Sequence, residues 1–155
     1  MKFLWVFDFD WEDVSSLFDR LFHGKDRFTK ENVQILFVDD EVNDFDVINN
    51  LKEAGWSVIG VEDIKNVDED IVKRSQIIFV DFKGVGRSLS QKEQGIGLIK
   101  LIKNTYGKKK RLILYSGHAS FSLDDNFKAA DDWLSKNSDT REFIDKIKEN
   151  MRELR

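Results

Sequence analysis

Five polar side chains that could take part in chemistry each follow an apolar run of the sequence. In chain order they are Asp39, Asp40, Asp81, Ser116 and Lys136. Continuous apolar runs of this length favour strands buried on both faces of a parallel sheet. A carboxylate at the end of such a strand is costly to bury without a partner, and ligands of open α/β sheets bind at that end. We therefore expect all five side chains to meet at one edge of a sheet.

The chemistry of such a site depends on the crowding of its carboxylates. Asp39, Asp40 and Asp81 would repel one another, and a hard divalent cation would relieve that repulsion. Oxygen ligands in a shallow, wet site favour Mg²⁺ over zinc. The hydroxyl of Ser116 and the ammonium of Lys136 would suit the oxygens of a phosphoryl group. The carboxylate nearest the metal could then act as the nucleophile and form an acyl phosphate.

Hydrophobic periodicity predicts the elements that would position these residues. The predicted strands are residues 33–38, 56–61, 76–81, 111–115 and 132–135. The predicted helices are residues 42–54, 67–74, 95–106, 123–130 and 139–154, and Asp139 with Glu142 has the spacing of a capping box. Strands that alternate with helices predict an α/β fold with a right-handed, doubly wound, five-stranded parallel sheet.

Residues 1–32 have a different pattern and predict an N-terminal extension, followed by a domain at 33–155. Aromatic residues at alternate positions 3–9 suit a short strand, and an apolar stripe from Trp11 to Phe22 predicts an amphipathic helix that ends near Gly24. This helix could pack on its own domain or form a surface for a partner or a second copy.

Composition excludes several classes of protein. A net charge of −4 without a basic stripe disfavours a nucleic-acid partner, and the absence of cysteine excludes disulfides and thiolate metal sites. No apolar run reaches the roughly 20 residues of a membrane span. The N-terminus is a poor signal peptide, so we expect a cytoplasmic protein. The chain also contains no proline.

Residues 33–154 resemble the CheY-like receiver domain of bacterial response regulators. The matching segments are ILFVDDE, IIFVD, GIGLIKLIK, LILYSG and ADDWLSK, and together they cover the five strand ends. The resemblance implies a flavodoxin-like, three-layer α/β/α fold and a phosphoacceptor in a two-component phosphorelay, not an enzyme. The phosphoryl group would come from a sensor histidine kinase, a phosphotransfer protein or a small phosphodonor.

The same resemblance implies roles for individual residues. Asp81 would accept the phosphoryl group, and Ser116 and Lys136 would contact its oxygens. The metal ligands for Mg²⁺ would be Asp40, Asp81 and the carbonyl of Lys83, with Asp39 acting partly through water. Trp133 would be the aromatic switch. Signalling would proceed through an unknown downstream protein, and a homodimer could form through the N-terminal helix or the face of the fourth and fifth strands.

Three features depart from the family pattern. The segment KGVGRSLSQKEQG after Asp81 is longer than usual and is expected to form an insertion over the site. Asn137 replaces the cis-proline that normally follows the lysine, so either the loop changes shape or strain is tolerated. The sequence to Arg155 includes no output domain, so we expect a stand-alone receiver.

Two other functions stay open. A pseudo-receiver would use the same fold only as a binding scaffold. An aspartyl-phosphate phosphohydrolase would use Asp8 and Asp10 of VFDFD, which resembles the nucleophile motif of haloacid-dehalogenase-type phosphatases. That motif lacks the usual small residue and threonine, because Trp11 and Glu12 follow it.

Overall fold

The computed structural model describes residues 28–117 and 128–154. The strand and helix expected in the N-terminal extension lie outside the described residues, as do Asp8, Asp10 and most of the helix expected at 123–130. The described residues therefore belong almost entirely to the segment 33–155 that was predicted to form one domain.

A five-stranded parallel sheet forms the centre of the domain, as predicted. Its strands are β1 (Gln34–Val38), β2 (Ser57–Val61), β3 (Ile77–Asp81), β4 (Arg111–Ser116) and β5 (Asp132–Ser135). The strand order is β2-β1-β3-β4-β5, and every pair is parallel. In the register, Asp81 lies beside Tyr115, and Ser116 lies beside Ser135. The carboxyl ends of the central strands are therefore level with one another.

Within residues 28–117 and 128–154, four α-helices cover the sheet. They are α1 (Asp46–Glu53), α2 (Asp70–Arg74), α3 (Gln94–Tyr106) and α4 (Thr140–Arg152). The prediction of one helix at 42–54 was wrong in detail, because Val42–Asp44 is a 3₁₀ turn and Phe45 is extended before α1 begins. The capping box of α4 is confirmed: Glu142 N–H donates to the Asp139 carboxylate, and Asp139 N–H donates to Glu142.

The two faces of the sheet have cores of different composition. One face packs against α1 and α4 and is aromatic at its centre, where Phe37 and Phe79 stack at 4.5 Å between ring centroids and Tyr115 meets both edge-on. The other face packs against α2 and α3 and is aliphatic. This arrangement confirms the three-layer α/β/α architecture. In the described part of the chain, no helix has the length and apolar composition of a membrane span.

Candidate functional site

Three carboxylates meet at the carboxyl edge of the sheet. Asp39 and Asp40 directly follow β1, and Asp81 is the last residue of the adjacent β3. One oxygen of each carboxylate lies within 4.8 Å of the other two, and Asp40 is exposed whereas the other two are buried. The structure thus brings together the acidic residues that the strand ends predicted.

Asp39 is fully buried, and both of its carboxylate oxygens are bonded within the protein. Its Oδ2 accepts a hydrogen bond from Tyr115 Oη at 2.7 Å and lies 2.8 Å from Lys136 Nζ. Its Oδ1 accepts from the backbone N–H of Glu41 at 2.9 Å. Because these contacts occupy both oxygens, Asp39 is better placed to hold Lys136 than to bind a cation directly.

Lys136 joins the two buried acids. Its Nζ lies 3.0 Å from Asp81 Oδ2 as well as 2.8 Å from Asp39 Oδ2. Burial alone would lower the pKa of Lys136, but the hydrogen bonds and charges of Asp39 and Asp81 outweigh burial and raise that pKa above its ordinary value. The ammonium therefore stays charged at neutral pH and lies between the acids as a fixed cation.

Asp81 is held in a balanced electrostatic environment. Burial raises its pKa above the ordinary value and the negative charge of Asp39 adds to this, whereas Lys136 and the backbone N–H of Lys83 act in the opposite direction. Burial, together with Asp39, also raises the pKa of Tyr115, so the phenol stays protonated and donates to Asp39. Asp81 is thus a poorly solvated carboxylate whose charge is supported by directed donors.

Ser116 reaches the same site from β4. It is buried, and its carbonyl oxygen accepts the backbone N–H of Lys136 at 2.8 Å, which ties the ends of β4 and β5 together. The resulting cleft has a volume of about 280 Å³. Its lining residues are Asp40, Glu41, Asp81, Lys83, Gly84, Arg87, Ser116, Gly117 and Lys136.

The segment expected to form an insertion over the site is a compact loop that forms one wall of the cleft. Val85 is fully buried among the aliphatic core residues. Gly84 N–H donates to Gln94 Oε1 at 2.9 Å, and Gly86 N–H donates to Asp63 Oδ1 at 2.5 Å. Gly84 and Gly86 have φ values of +90° and +67°, which glycine adopts readily.

The sequence analysis missed two residues, Arg87 in the wall of the cleft and Asp63 beneath the loop that forms this wall. Arg87 lines the cleft, and Asp63 anchors the loop that carries Arg87. The Gly-x-Gly spacing around Val85 signals an unusual backbone, but nothing in the sequence pairs that backbone with Asp63.

The loop at Asn137 is built from trans peptide bonds and hydrogen bonds. The described residues contain no cis peptide bond. Asn137 N–H donates to Ser135 Oγ at 3.2 Å, and its side-chain Nδ2 lies 3.5 Å from the carbonyl oxygen of Gly117. Lys136 is therefore followed by a hydrogen-bonded turn.

Trp133 is apart from the cleft. It lies on β5, and 54% of its surface is exposed. Of the residues singled out from the strand ends, the structure brings Asp39, Asp40, Asp81, Ser116 and Lys136 together, and it leaves Trp133 on the surface.

The donor set fits a hard divalent cation. Three carboxylates within 4.8 Å supply oxygen ligands only, and the exposed Asp40 keeps the cluster open to water. Gly84 packs so closely on Asp40 that a β-carbon at position 84 would collide with the carboxylate. Mg²⁺ prefers such oxygen ligands and retains several waters.

Comparison with known proteins agrees with the topology. No family model and no curated protein matches the sequence. Among solved structures, the response regulator TrrA of Thermotoga maritima in complex with Mg²⁺ and BeF is 21% identical. The match covers 76% of this chain and 98% of that one, with a TM-score of 0.62. A CheY-like receiver domain protein of Methanospirillum hungatei JF-1 is 23% identical, with coverages of 78% and 94% and a TM-score of 0.59. The chain has the receiver-domain fold.

NtrX of Brucella abortus, solved in complex with ATP, gives a similar result. It is 22% identical, with a TM-score of 0.63 over 77% of this chain. The match spans only 27% of NtrX, so the described domain corresponds to about a quarter of that protein. In the receiver fold, the cleft at the carboxyl edge lies where open α/β sheets bind ligands.

Proposed function

We propose that this receiver accepts a phosphoryl group on Asp81 in a Mg²⁺-dependent reaction. The donor would be a sensor histidine kinase, a phosphotransfer protein or a small phosphodonor. The observation that carries the proposal is the ammonium of Lys136, which lies 2.8 Å from Asp39 and 3.0 Å from Asp81, in the same cleft as Ser116. The fold alone does not require this arrangement, whereas phosphoryl transfer needs it.

The reaction would begin with attack by the Asp81 carboxylate. A carboxylate oxygen forms a bond to phosphorus, the bond from phosphorus to the donor breaks, and the leaving group takes the electron pair. The ammonium of Lys136 and the hydroxyl of Ser116 then contact the phosphoryl oxygens. Because Lys136 is already held 3.0 Å from Asp81, its ammonium needs little reorganisation during the transfer.

Asp40, Asp81 and the carbonyl of Lys83 would hold Mg²⁺, which would neutralise charge on the phosphoryl oxygens. The role of Asp39 would be mainly to fix Lys136, with a contribution to the metal through water. This division follows from the burial of Asp39 and from the hydrogen bonds on both of its oxygens.

The output would pass through protein–protein contact. Phosphorylation would draw Ser116 toward the phosphoryl group and let the exposed Trp133 move inward, which would change the surface formed by β4 and β5. In this role the domain is a phosphoacceptor rather than an enzyme, and a cytoplasmic location is consistent with a soluble kinase domain as its donor.

The decisive experiment uses Asp81→Asn and the matched control Asp145→Asn, which removes one exposed carboxylate on α4 away from the cleft. Each protein is incubated with Mg²⁺ and a small phosphodonor, and the intact mass is measured. We expect one added phosphoryl group on the wild type and on the control, and none on Asp81→Asn.

A second measurement follows tryptophan fluorescence during titration with BeF₃⁻ and Mg²⁺. We expect a change in the wild type that Trp133→Phe removes. A wild-type protein that neither gains mass nor responds to BeF₃⁻ would contradict the proposal and favour the pseudo-receiver scaffold. Modification that persists in Asp81→Asn would place the acceptor elsewhere.

A further inference from the structure

Two cationic side chains of the cleft wall have no protein partner among residues 28–117 and 128–154. Lys83 and Arg87 both line the cleft, and no ion pair or hydrogen bond engages the ammonium of Lys83 or the guanidinium of Arg87. Lys136, in contrast, is paired with Asp39 and Asp81. The loop wall therefore presents positive charge that the protein itself does not neutralise.

Arg87 is presented by a loop whose backbone is fixed on both sides. Val85 is fully buried, and the next residue, Gly86, donates its N–H to Asp63. The carbonyl oxygen of Gly86 accepts the N–H of Ser90 at 2.8 Å. These contacts hold the backbone at Arg87 in place, so its side chain starts from a defined position at the cleft.

With Asp39 counted, the acids around the cleft outnumber the cations by one. Four carboxylates, Asp39, Asp40, Glu41 and Asp81, face three cationic side chains, Lys83, Arg87 and Lys136. A divalent cation bound by the carboxylates would leave an excess of positive charge. That excess matches a donor that brings an anionic phosphoryl group and whose leaving group becomes anionic as the phosphoryl group is transferred.

We infer that Arg87 is a specificity residue that favours small acyl phosphates as phosphodonors. The inference rests on the proposed phosphorylation of Asp81. In that reaction the Asp81 oxygen bonds to phosphorus while the bond from phosphorus to the acyl oxygen breaks. The electron pair goes to the acyl group, which leaves as a carboxylate and needs no proton.

The chemistry of the leaving group explains the role of arginine. A guanidinium presents parallel N–H donors that match a carboxylate, so Arg87 stabilises the negative charge that develops on the leaving group. A phosphoramidate donor breaks a phosphorus–nitrogen bond and releases neutral ammonia from its protonated nitrogen. No negative charge then develops on the leaving group, and Arg87 contributes little.

The test compares two donors on four proteins. Acetyl phosphate and phosphoramidate, each with Mg²⁺, are given to the wild type, Arg87→Gln, Arg87→Lys and the control Lys92→Gln. Lys92 is exposed in the same loop but does not line the cleft. We expect Arg87→Gln to lower the second-order rate constant for acetyl phosphate about two- to fivefold, the upper part of the range for a solvent-screened charge contact. The rate with phosphoramidate should change less than about twofold by the same reasoning.

We also expect Arg87→Lys to recover part of the acetyl phosphate rate. The control Lys92→Gln should react at the same rate as the wild type. Equal slowing with both donors, or no slowing with either, would overturn the inference and leave phosphorylation of Asp81 in place. A wild-type protein that neither donor phosphorylates would overturn both. The phosphoramidate rate also reports whether Arg87→Gln keeps an intact site.

Discussion

Asp40 offers the clearest test of the carboxylate cluster, because it is the member of the cluster that is exposed and has no cationic partner in the described chain. Asp40→Asn keeps the shape of the side chain and removes one negative charge. It leaves the contacts of Lys136 with Asp39 and Asp81 intact. Without metal, we expect the variant to be more stable than the wild type.

The size of this effect follows from the spacing of the carboxylates. For two like charges 4.8 Å apart, the repulsion is about 0.9 kcal/mol at the dielectric constant of water and about 3.5 kcal/mol at an effective value of 20. Asp40 is exposed and Lys136 lies nearby, so the low end applies. We therefore expect Asp40→Asn to raise the free energy of unfolding by about 1 kcal/mol without metal.

Magnesium should remove this difference in stability, so that the two proteins become about equally stable. At ten times its dissociation constant, a ligand that binds only the folded state stabilises it by about 1.4 kcal/mol, and a tenfold loss of affinity reduces this to about 0.4 kcal/mol. Wild-type protein should gain the larger amount and Asp40→Asn the smaller one.

The assay is urea unfolding followed by tryptophan fluorescence, with EDTA or with MgCl₂, on the wild type, Asp40→Asn and Asp145→Asn. The control also removes one negative charge, and its response to Mg²⁺ should equal that of the wild type. The reasoning is refuted if Asp40→Asn is less stable than the wild type in EDTA, or if Mg²⁺ stabilises both equally.

Two further predictions concern residues outside the cluster. A β-carbon at position 95 would collide with the carbonyl oxygen of Asp81, so Gly95→Ala should cost about 1–3 kcal/mol in urea unfolding despite its better helix propensity. Gly117→Ala, where a β-carbon meets no atom of the described residues within 4 Å, should be nearly neutral. Burial lowers the pKa of Lys110 from 10.5 to about 8, so between these values the unfolded chain binds this proton more tightly and stability rises with pH. Relative to Lys110→Met, the wild type should therefore gain up to about 2 kcal/mol in its free energy of unfolding from pH 7.5 to 9.5. A difference that stays constant over this range would contradict the prediction.

The strands and the cluster at their ends could be predicted because both depend on local patterns. An apolar run such as residues 77–80 specifies a buried parallel strand, and the residue that follows it must lie at the edge of the sheet. Asp39, Asp81 and Ser116 were placed in this way. The capping box at Asp139 is likewise contained in a few consecutive residues. Their assigned roles in phosphoryl transfer stay predictions.

Features that depend on distant partners could not be predicted. The break at Phe45 reflects tertiary packing, since its ring lies 6.0 Å from Phe37 and 5.7 Å from Phe143. Lys110 looks like part of a solvated basic run, yet its Nζ donates to the carbonyl oxygens of Lys73 and Ser75, which are more than thirty residues away. No local periodicity reports such contacts.

The absence of proline connects these observations to the cleft. Proline commonly fixes a loop by restricting the unfolded chain, and this sequence contains none. The loops around the cleft are fixed instead by polar side chains: Asp63 and Gln94 hold the backbone of the loop after β3, and Asn137 lies beside the carbonyl oxygen of Gly117. Because each of these contacts is a hydrogen bond, its loss frees a loop without breaking the sheet. The shape of the cleft therefore depends on residues that do not line it, and Asp63 is one of them because it anchors the loop that carries Arg87.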